Sequence, residues 1–248
     1  MQLRDAVLLA VGVIVLVLLI TSVAMQAVNM SRRQDAAYSS GDSLVPDLKQ
    51  SCFDMVLYIN LAHREDRLAE IHMELASLGW KETAKRVEAV HFPARGSFGC
   101  VQSHILALRT FLADPTARHV LILEDDCTFT RDPRPDIQRF LFMERNWDLL
   151  LLAANNPKTS RHSSSLLRVR SAATTSCYAV SRAFATRLLA LWESTMDGFL
   201  DLPEEKVACD VTWNRLAPES RWFLVNPKAA IQRPSYSDIG KMYVAYGV

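Results

Sequence analysis

The chain has 248 residues, 50% of them hydrophobic and 22% charged, with a formal net charge of +1. No excess of either sign points to nucleic acid, and the length is enough for one domain with a full core once any targeting segment is subtracted.

The first landmark is "AVLLAVGVIVLVLLITSVAMQAV", residues 6–28, which follows a five-residue tail and carries no charge. As a helix it is roughly 34 Å long, which matches a bilayer core. Ser22 and Ala24 suit a signal-peptidase site, but the run exceeds the usual apolar core of a signal peptide, so an uncleaved transmembrane anchor is expected. Arg4 before the span, against Arg32 and Arg33 after it, favours a cytosolic C-terminal part by charge count. Residues 29–50 are polar and small and read as a stem, leaving 51–248 as the folded domain. The one glycosylation sequon, at Asn29, sits against the membrane and establishes no lumenal location. Cys52, Cys100, Cys127, Cys177 and Cys209 are unevenly spaced and form no CxxC, so spacing indicates neither a zinc nor a redox motif.

In the folded part, "FDMVLYINL" (53–61) predicts a buried strand. A helix follows with Leu68, Ile71, Leu75 and Leu78 on one stripe and Gly79 as its stop. "KRVEAV" predicts a short strand, and "SFGCVQSHILALRTFLADP" a helix opening near Ser97 with Val101, Ile105, Leu108 and Leu112 inward. "HVLILEDDCTF" then predicts a strand apolar on both faces that ends in three carboxylates. A helix over 136–144, a strand over 147–154 and a polar loop "NNPKTSRHSSS" come next. Two strands, "LLRVRSA" and "SCYAVS", and the helix "RAFATRLLALWEST" follow. Alternating strands and helices imply an α/β domain, a mostly parallel sheet flanked by helices. No GxGxxG or GxxxxGK[ST] loop is present to cradle phosphate by backbone alone.

The acidic strand end poses the chemical question. In an extended chain Glu124 and Asp126 share a face roughly 7 Å apart, and at an effective dielectric near 20 they repel by about 2 kcal/mol unless a cation intervenes. A solvated acidic turn is the plain alternative.

The fragments "LYINLAHREDR", "FGCVQSH", "LILEDD", "WDLLLLA", "SCYAVSRAFATRLL", "CDVTWNRL" and "SYSDI" resemble, in order and spacing, glycosyltransferase family 25, over nearly all of residues 54–239. That family includes lipooligosaccharide galactosyltransferases and enzymes that glycosylate collagen hydroxylysine. The resemblance implies a GT-A-type nucleotide-diphospho-sugar transferase domain, a UDP-hexose donor such as UDP-galactose or UDP-glucose, a divalent metal, usually Mn²⁺, and inversion at the anomeric carbon. Two departures stand out: "SAATTS" replaces the family's glycine-rich entry to the "CYAVS" strand, and Phe98 replaces its acidic residue before "GC".

With that resemblance, Asp126 is the expected direct metal ligand, with Glu124 contacting the metal or the donor ribose. Asp125 shares the donor motif but points across the pleat and suits a structural role. Asn60, Arg64 and Arg67 are expected at the uridine and phosphate end. Each arginine could instead pair with Glu65, Asp66 or Glu70 on a solvated helix face. Ser103 and His104 are expected donor contacts; a core histidine is the alternative, and Cys100 is read as packing. Asp210 is the expected base for the acceptor hydroxyl, with a helix N-cap as its structural alternative; Asp201, Glu204 and Glu205 nearby look solvated. Ser237 and Asp238 belong to the closing, acceptor-side motif. The expected function is a membrane-anchored, metal-dependent inverting hexosyltransferase acting on a glycan, lipid-linked or hydroxylysine acceptor. Its domain would face the endoplasmic reticulum or Golgi lumen in a eukaryote and sit at the inner membrane in a bacterium. The rival is a catalytically inactive, anchored glycan- or partner-binding module on the same fold. A two-metal phosphoesterase fits less well, for want of further His and Asp motifs.

Overall fold

The structure is a computed structural model and describes residues 52–245. The expected anchor at 6–28 and the stem at 29–50 lie outside the described residues, among which no helix is long and apolar enough to cross a membrane.

Strand β1 (Met55–Asn60), helix α1 (Glu65–Ser77), β2 (Lys85–Glu88), α2 (Gly96–Ala113) and β3 (His119–Glu124) form the first half. The chain continues through β4 (Cys127–Phe129), α3 (Arg134–Met143), β5 (Leu149–Leu151), β6 (Asn155–Arg161), β7 (Leu166–Ala173), β8 (Cys177–Ser181) and α4 (Arg182–Met196). Short helices α5 (Glu204–Val207) and α6 (Cys209–Thr212) precede β9 (Trp222–Val225), β10 (Ala230–Gln232), β11 (Ser235–Ser237) and β12 (Met242–Val244). An eight-stranded sheet runs β2-β1-β3-β8-β5-β9-β7-β6. β1 is parallel to β2 and β3, and β5 to β9, whereas β8 runs against β3 and β5 and β7 against β6 and β9. Six strands thus point one way and two the other.

Side-chain alternation divides the core into two layers. Met55, Leu57 and Ile59 of β1 and Val120 and Ile122 of β3 pack with α2 and α4, through Ile105, Leu108, Phe184, Leu188 and Trp192. Val56, Tyr58, Leu121 and Leu123 pack on the other face with Ile71 and Leu75 of α1 and Ile137 and Phe140 of α3. Full burial of such side chains contributes about 1.5–3 kcal/mol each, which is why β3 reads as a continuous apolar run. Gly79 stops α1 with φ +70°, a left-handed conformation that costs glycine nothing. Ser181 caps α4 by accepting from the amide of Phe184, and Arg182 donates to the carbonyls of Leu112, Asp114 and Ala117 at the end of α2, tying the two helices together.

Three expectations are corrected. The polar stretch after residue 154 is not wholly loop: Asn155–Arg161 pairs with β7 as an exposed edge strand, and Pro157, Lys158 and Arg161 are residues suited to an edge that must not recruit another chain. The strand expected over 147–154 shrinks to Leu149–Leu151, because at Leu152 the chain leaves the ladder and its carbonyl accepts from Ala229 and Ala230. β3 ends at Glu124, so Asp125 and Asp126 lie in a turn and not on an extended strand, and the same-face spacing of Glu124 and Asp126 does not apply.

Candidate active site

β1 and β3 are adjacent parallel strands, Ile59 opposite Glu124, yet the chain goes from β1 to β2 on one side and reaches β3 on the other. That reversal opens a crevice beyond the strands' carboxyl ends, the usual ligand position in open α/β sheets. A cavity of about 360 Å³ occupies it, within the range of small-molecule sites. Its walls include Asn60 after β1, His91 and Phe92 after β2, Ser103 and His104 of α2, Glu124 to Asp126 after β3, and Ser237, Asp238 and Lys241 of the C-terminal segment. Arg67 also lines it, whereas Arg64 and Asp210 do not.

The three carboxylates have separate partners. Asp125 accepts from Asn60 Nδ2 at 2.8 Å and from Arg67 at 2.9 Å, and burial raises its pKa against both. Glu124 Oε1 accepts from Thr175 Oγ1 at 2.5 Å and lies 3.2 Å from His104 Nε2. Burial raises Glu124 too, but its bond to His104 and the charge there outweigh it, and the net direction is down. Asp126 differs. Its Oδ2 receives Gln232 Nε2 at 3.2 Å and stands 3.5 Å from Arg67, while its buried Oδ1 has no hydrogen-bond partner. Burial first, and the charge of Glu124 second, push Asp126 up to about 7.

Arg67 donates to Asp125, to Ser235 Oγ at 2.7 Å and to the Tyr236 carbonyl at 2.8 Å, so one guanidinium joins the acidic turn to the C-terminal segment. Arg64 forks onto Asp66, the solvated-face pairing weighed above, and also reaches Asp238 at 2.5 Å, which ties the closing motif to the first loop. Asn60 Nδ2 also donates to the Arg64 carbonyl, and its buried Oδ1 has no partner. Ser103 donates to the Gly99 carbonyl and accepts from the amide of Val90, holding the cavity's back wall to α2.

His104 is 1% exposed, with Nδ1 2.9 Å from Tyr178 Oη. Burial lowers its pKa, but hydrogen bonds to Cys100 and Glu124 win and push it up to about 9. Cys100 does pack against the core, but it is not without a basic neighbour: His104 adjoins it, and Cys209 Sγ lies 3.9 Å from its own sulfur. Hydrogen bonding to Cys209 is the main reason that the Cys100 thiol is lowered.

Asp210 sits in the first turn of α6, but the residue before that helix is Ala208, so the N-cap alternative is corrected. Its Oδ2 instead accepts from the amide of Thr174 at 2.9 Å, and burial raises its pKa. Thr174 has φ +75°, a backbone region that glycine adopts freely and a β-branched residue rarely. The glycine-poor "SAATTS" thus takes a glycine-type turn at Thr174, anchored by Asp210 and by the bond from Thr174 Oγ1 to Gln232. Thr174, Thr175 and Gln232 are site residues that sequence reasoning missed. Only their position before the "CYAVS" strand and beside the closing motif could have flagged them.

No family model matches the chain, and no curated protein matches it in sequence. Solved structures align with much of the chain at low identity. A glycosyltransferase involved in glycosylating the major capsid of PBCV-1 aligns with 75% of this chain and 95% of its own at 10% identity and a TM-score of 0.48. A mannose-1-phosphate geranyltransferase from Thermus thermophilus aligns over 75% and 76% of the two chains at 12% identity, with a TM-score of 0.43. A UDP-glucose pyrophosphorylase complexed with UDP-glucose aligns over 71% and 73% at 8% identity, also with a TM-score of 0.43. What the cavity can do chemically is set by its own side chains.

Proposed function

We propose that the chain is a metal-dependent, inverting hexosyltransferase of the family 25 type, moving galactose or glucose from a UDP-sugar to a glycan, lipid-linked or hydroxylysine acceptor. The observation that carries this reading is the unpartnered Asp126 Oδ1, buried at a switch-point cavity beside a second carboxylate. A carboxylate pushed up to about 7 by burial and a like charge is short of a cation, and hard oxygen donors suit Mn²⁺ or Mg²⁺. Asp126, with Glu124 beside it, would hold the ion, which supplies charge compensation for the departing UDP when bound.

The chain's own groups do the rest. Phe92 and His91 offer an apolar and aromatic wall for the uracil, and Asn60 a free amide oxygen for the nucleoside. Lys241 lines the same cavity and is suited to phosphate, while Arg67 holds Asp125 and the C-terminal segment in place. The acceptor oxygen attacks the anomeric carbon as the bond to the β-phosphate oxygen breaks, and UDP leaves with the electron pair. The hydroxyl proton is assigned to Asp210, which burial raises in pKa and which stands behind the cavity wall, joined to it through Thr174, whose amide it accepts from and whose hydroxyl bonds Gln232. Asp238 is the second candidate, lining the cavity but held by Arg64. Residues 6–28 would anchor the enzyme, with the domain in the secretory lumen of a eukaryote or at a bacterial inner membrane.

Asp126→Asn tests the reading: it keeps the volume and removes one hard ligand, so metal-dependent transfer should vanish while the fold persists. Activity near that of the unmutated chain would refute it. A binding module on this fold predicts instead that glycan or partner binding survives with no nucleotide released by either protein.

A further inference from the structure

We propose that Cys100, His104 and Cys209 form a zinc site, distinct in chemistry from the hard carboxylate pair, that fastens the Asp210 segment to α2. A His104 ring nitrogen and the two sulfurs all lie within 4.8 Å of one another. Cys100 and His104 are four residues apart on α2 and so share a helix face, while Cys209 arrives from α6, more than a hundred residues later. The two sulfurs are 3.9 Å apart. Thiolates on one tetrahedral zinc, at about 2.3 Å from the metal, stand about 3.8 Å from each other, so the pair already has the spacing of one edge of the polyhedron.

The surroundings match a ligating histidine. Nδ1 is 2.9 Å from Tyr178 Oη, and donating its proton there fixes the ring, the outer contact that zinc-bound histidines usually have, while Nε2 would exchange the proton it directs at Glu124 for the ion. Glu124 Oε1 is 3.2 Å from Nε2 but stands outside the three-atom cluster and stays with the oxygen-donor pair, so the fourth position is left to a water or ligand entering from the cavity. His104 and Cys209 are buried, and Cys100 opens to the cavity, which gives an ion a way in. Two thiolates and an imidazole select a soft or borderline ion, whereas Asp126 offers only oxygen, so the sites sort Zn²⁺ from Mn²⁺ by softness. Cys209 immediately precedes Asp210, so the ion would hold the segment bearing that carboxylate against α2.

The test uses the full chain, purified in detergent with thiol reductant, and does not depend on the transferase reading. Zinc content measured by mass spectrometry should be one per chain after incubation with one equivalent of Zn²⁺, and should fall to none in Cys100→Ser and Cys209→Ser. Asp126→Asn should keep the zinc even if it abolishes transfer. Replacement by Co²⁺ should give a thiolate-to-metal charge-transfer band in the unmutated chain, a measurement that stands even if a cysteine variant does not fold. No zinc and no such band, zinc retained in both cysteine variants, or a Cys100–Cys209 disulfide that survives the reductant would each overturn the proposal.

Discussion

Asp126 is the residue on which the chemistry turns, and its protonation makes a stability prediction. Its folded pKa of about 7 lies above the value of about 4 for an unfolded aspartate, so between those values the folded state binds the extra proton. Stability should therefore fall as pH rises from about 4 to about 7 and stay lowered above. Asp126→Asn should flatten that part of the melting-temperature profile, and an unchanged slope would remove Asp126 as its source. Asp210→Asn can still accept the amide of Thr174, so melting temperature and UDP affinity should hold while turnover drops by a factor of about 10² to 10⁴. Persistent turnover would transfer the base to Asp238. Single residues were only partly legible beforehand. The acidic motif placed Glu124, Asp125 and Asp126 at the cavity, but what leaves Asp126 Oδ1 unpartnered is that its neighbours Gln232 and Arg67, remote in sequence, both face Oδ2. The Cys100 and His104 pair carried a helical i, i+4 signal, yet its third member is set by tertiary packing, which spacing does not encode.

At the scale of elements, α2 organises the site, because one face builds the core while Ser103 and His104 line the cavity. Its approach to the loop after β2 depends on Gly99, where an added Cβ would collide with the Val90 carbonyl oxygen. Gly99→Ala gains about 1 kcal/mol of helix propensity but forces backbone apart, a change that commonly costs about 1–3 kcal/mol. The melting temperature should drop, with the Ser103 bond to Val90 lost; a rise would show that the loop yields freely. Long apolar elements such as β1, β3 and α4 were legible because both faces, or one continuous stripe, must be buried. β6 was not, since an exposed edge strand shows no apolar alternation. The β11 and β12 hairpin escaped for a related reason: each strand is three residues long, and the segment is positioned by Arg64 and Arg67, not by a core of its own.

At the scale of the domain over the described residues, two helical layers enclose a sheet whose strand order reverses at β1, and that reversal puts the acidic turn, the β2 loop and the C-terminal segment around one cavity. The α/β class and the cavity's main acids follow from apolar periodicity and one motif. The strands running against the rest, β7 and β8, follow from no local pattern, since antiparallel insertion leaves the same apolar run as a parallel one. The reading turns on the unpartnered Oδ1 of Asp126 at that switch point, and a donor panel tests it most directly. The full chain in detergent would be incubated with Mn²⁺ and each of a set of UDP-, GDP-, ADP- and CMP-sugars, with nucleotide release recorded with and without chelator. Release of UDP from UDP-galactose or UDP-glucose that stops on chelation is the predicted result. No release from any UDP-sugar, or release indifferent to the metal, would contradict it.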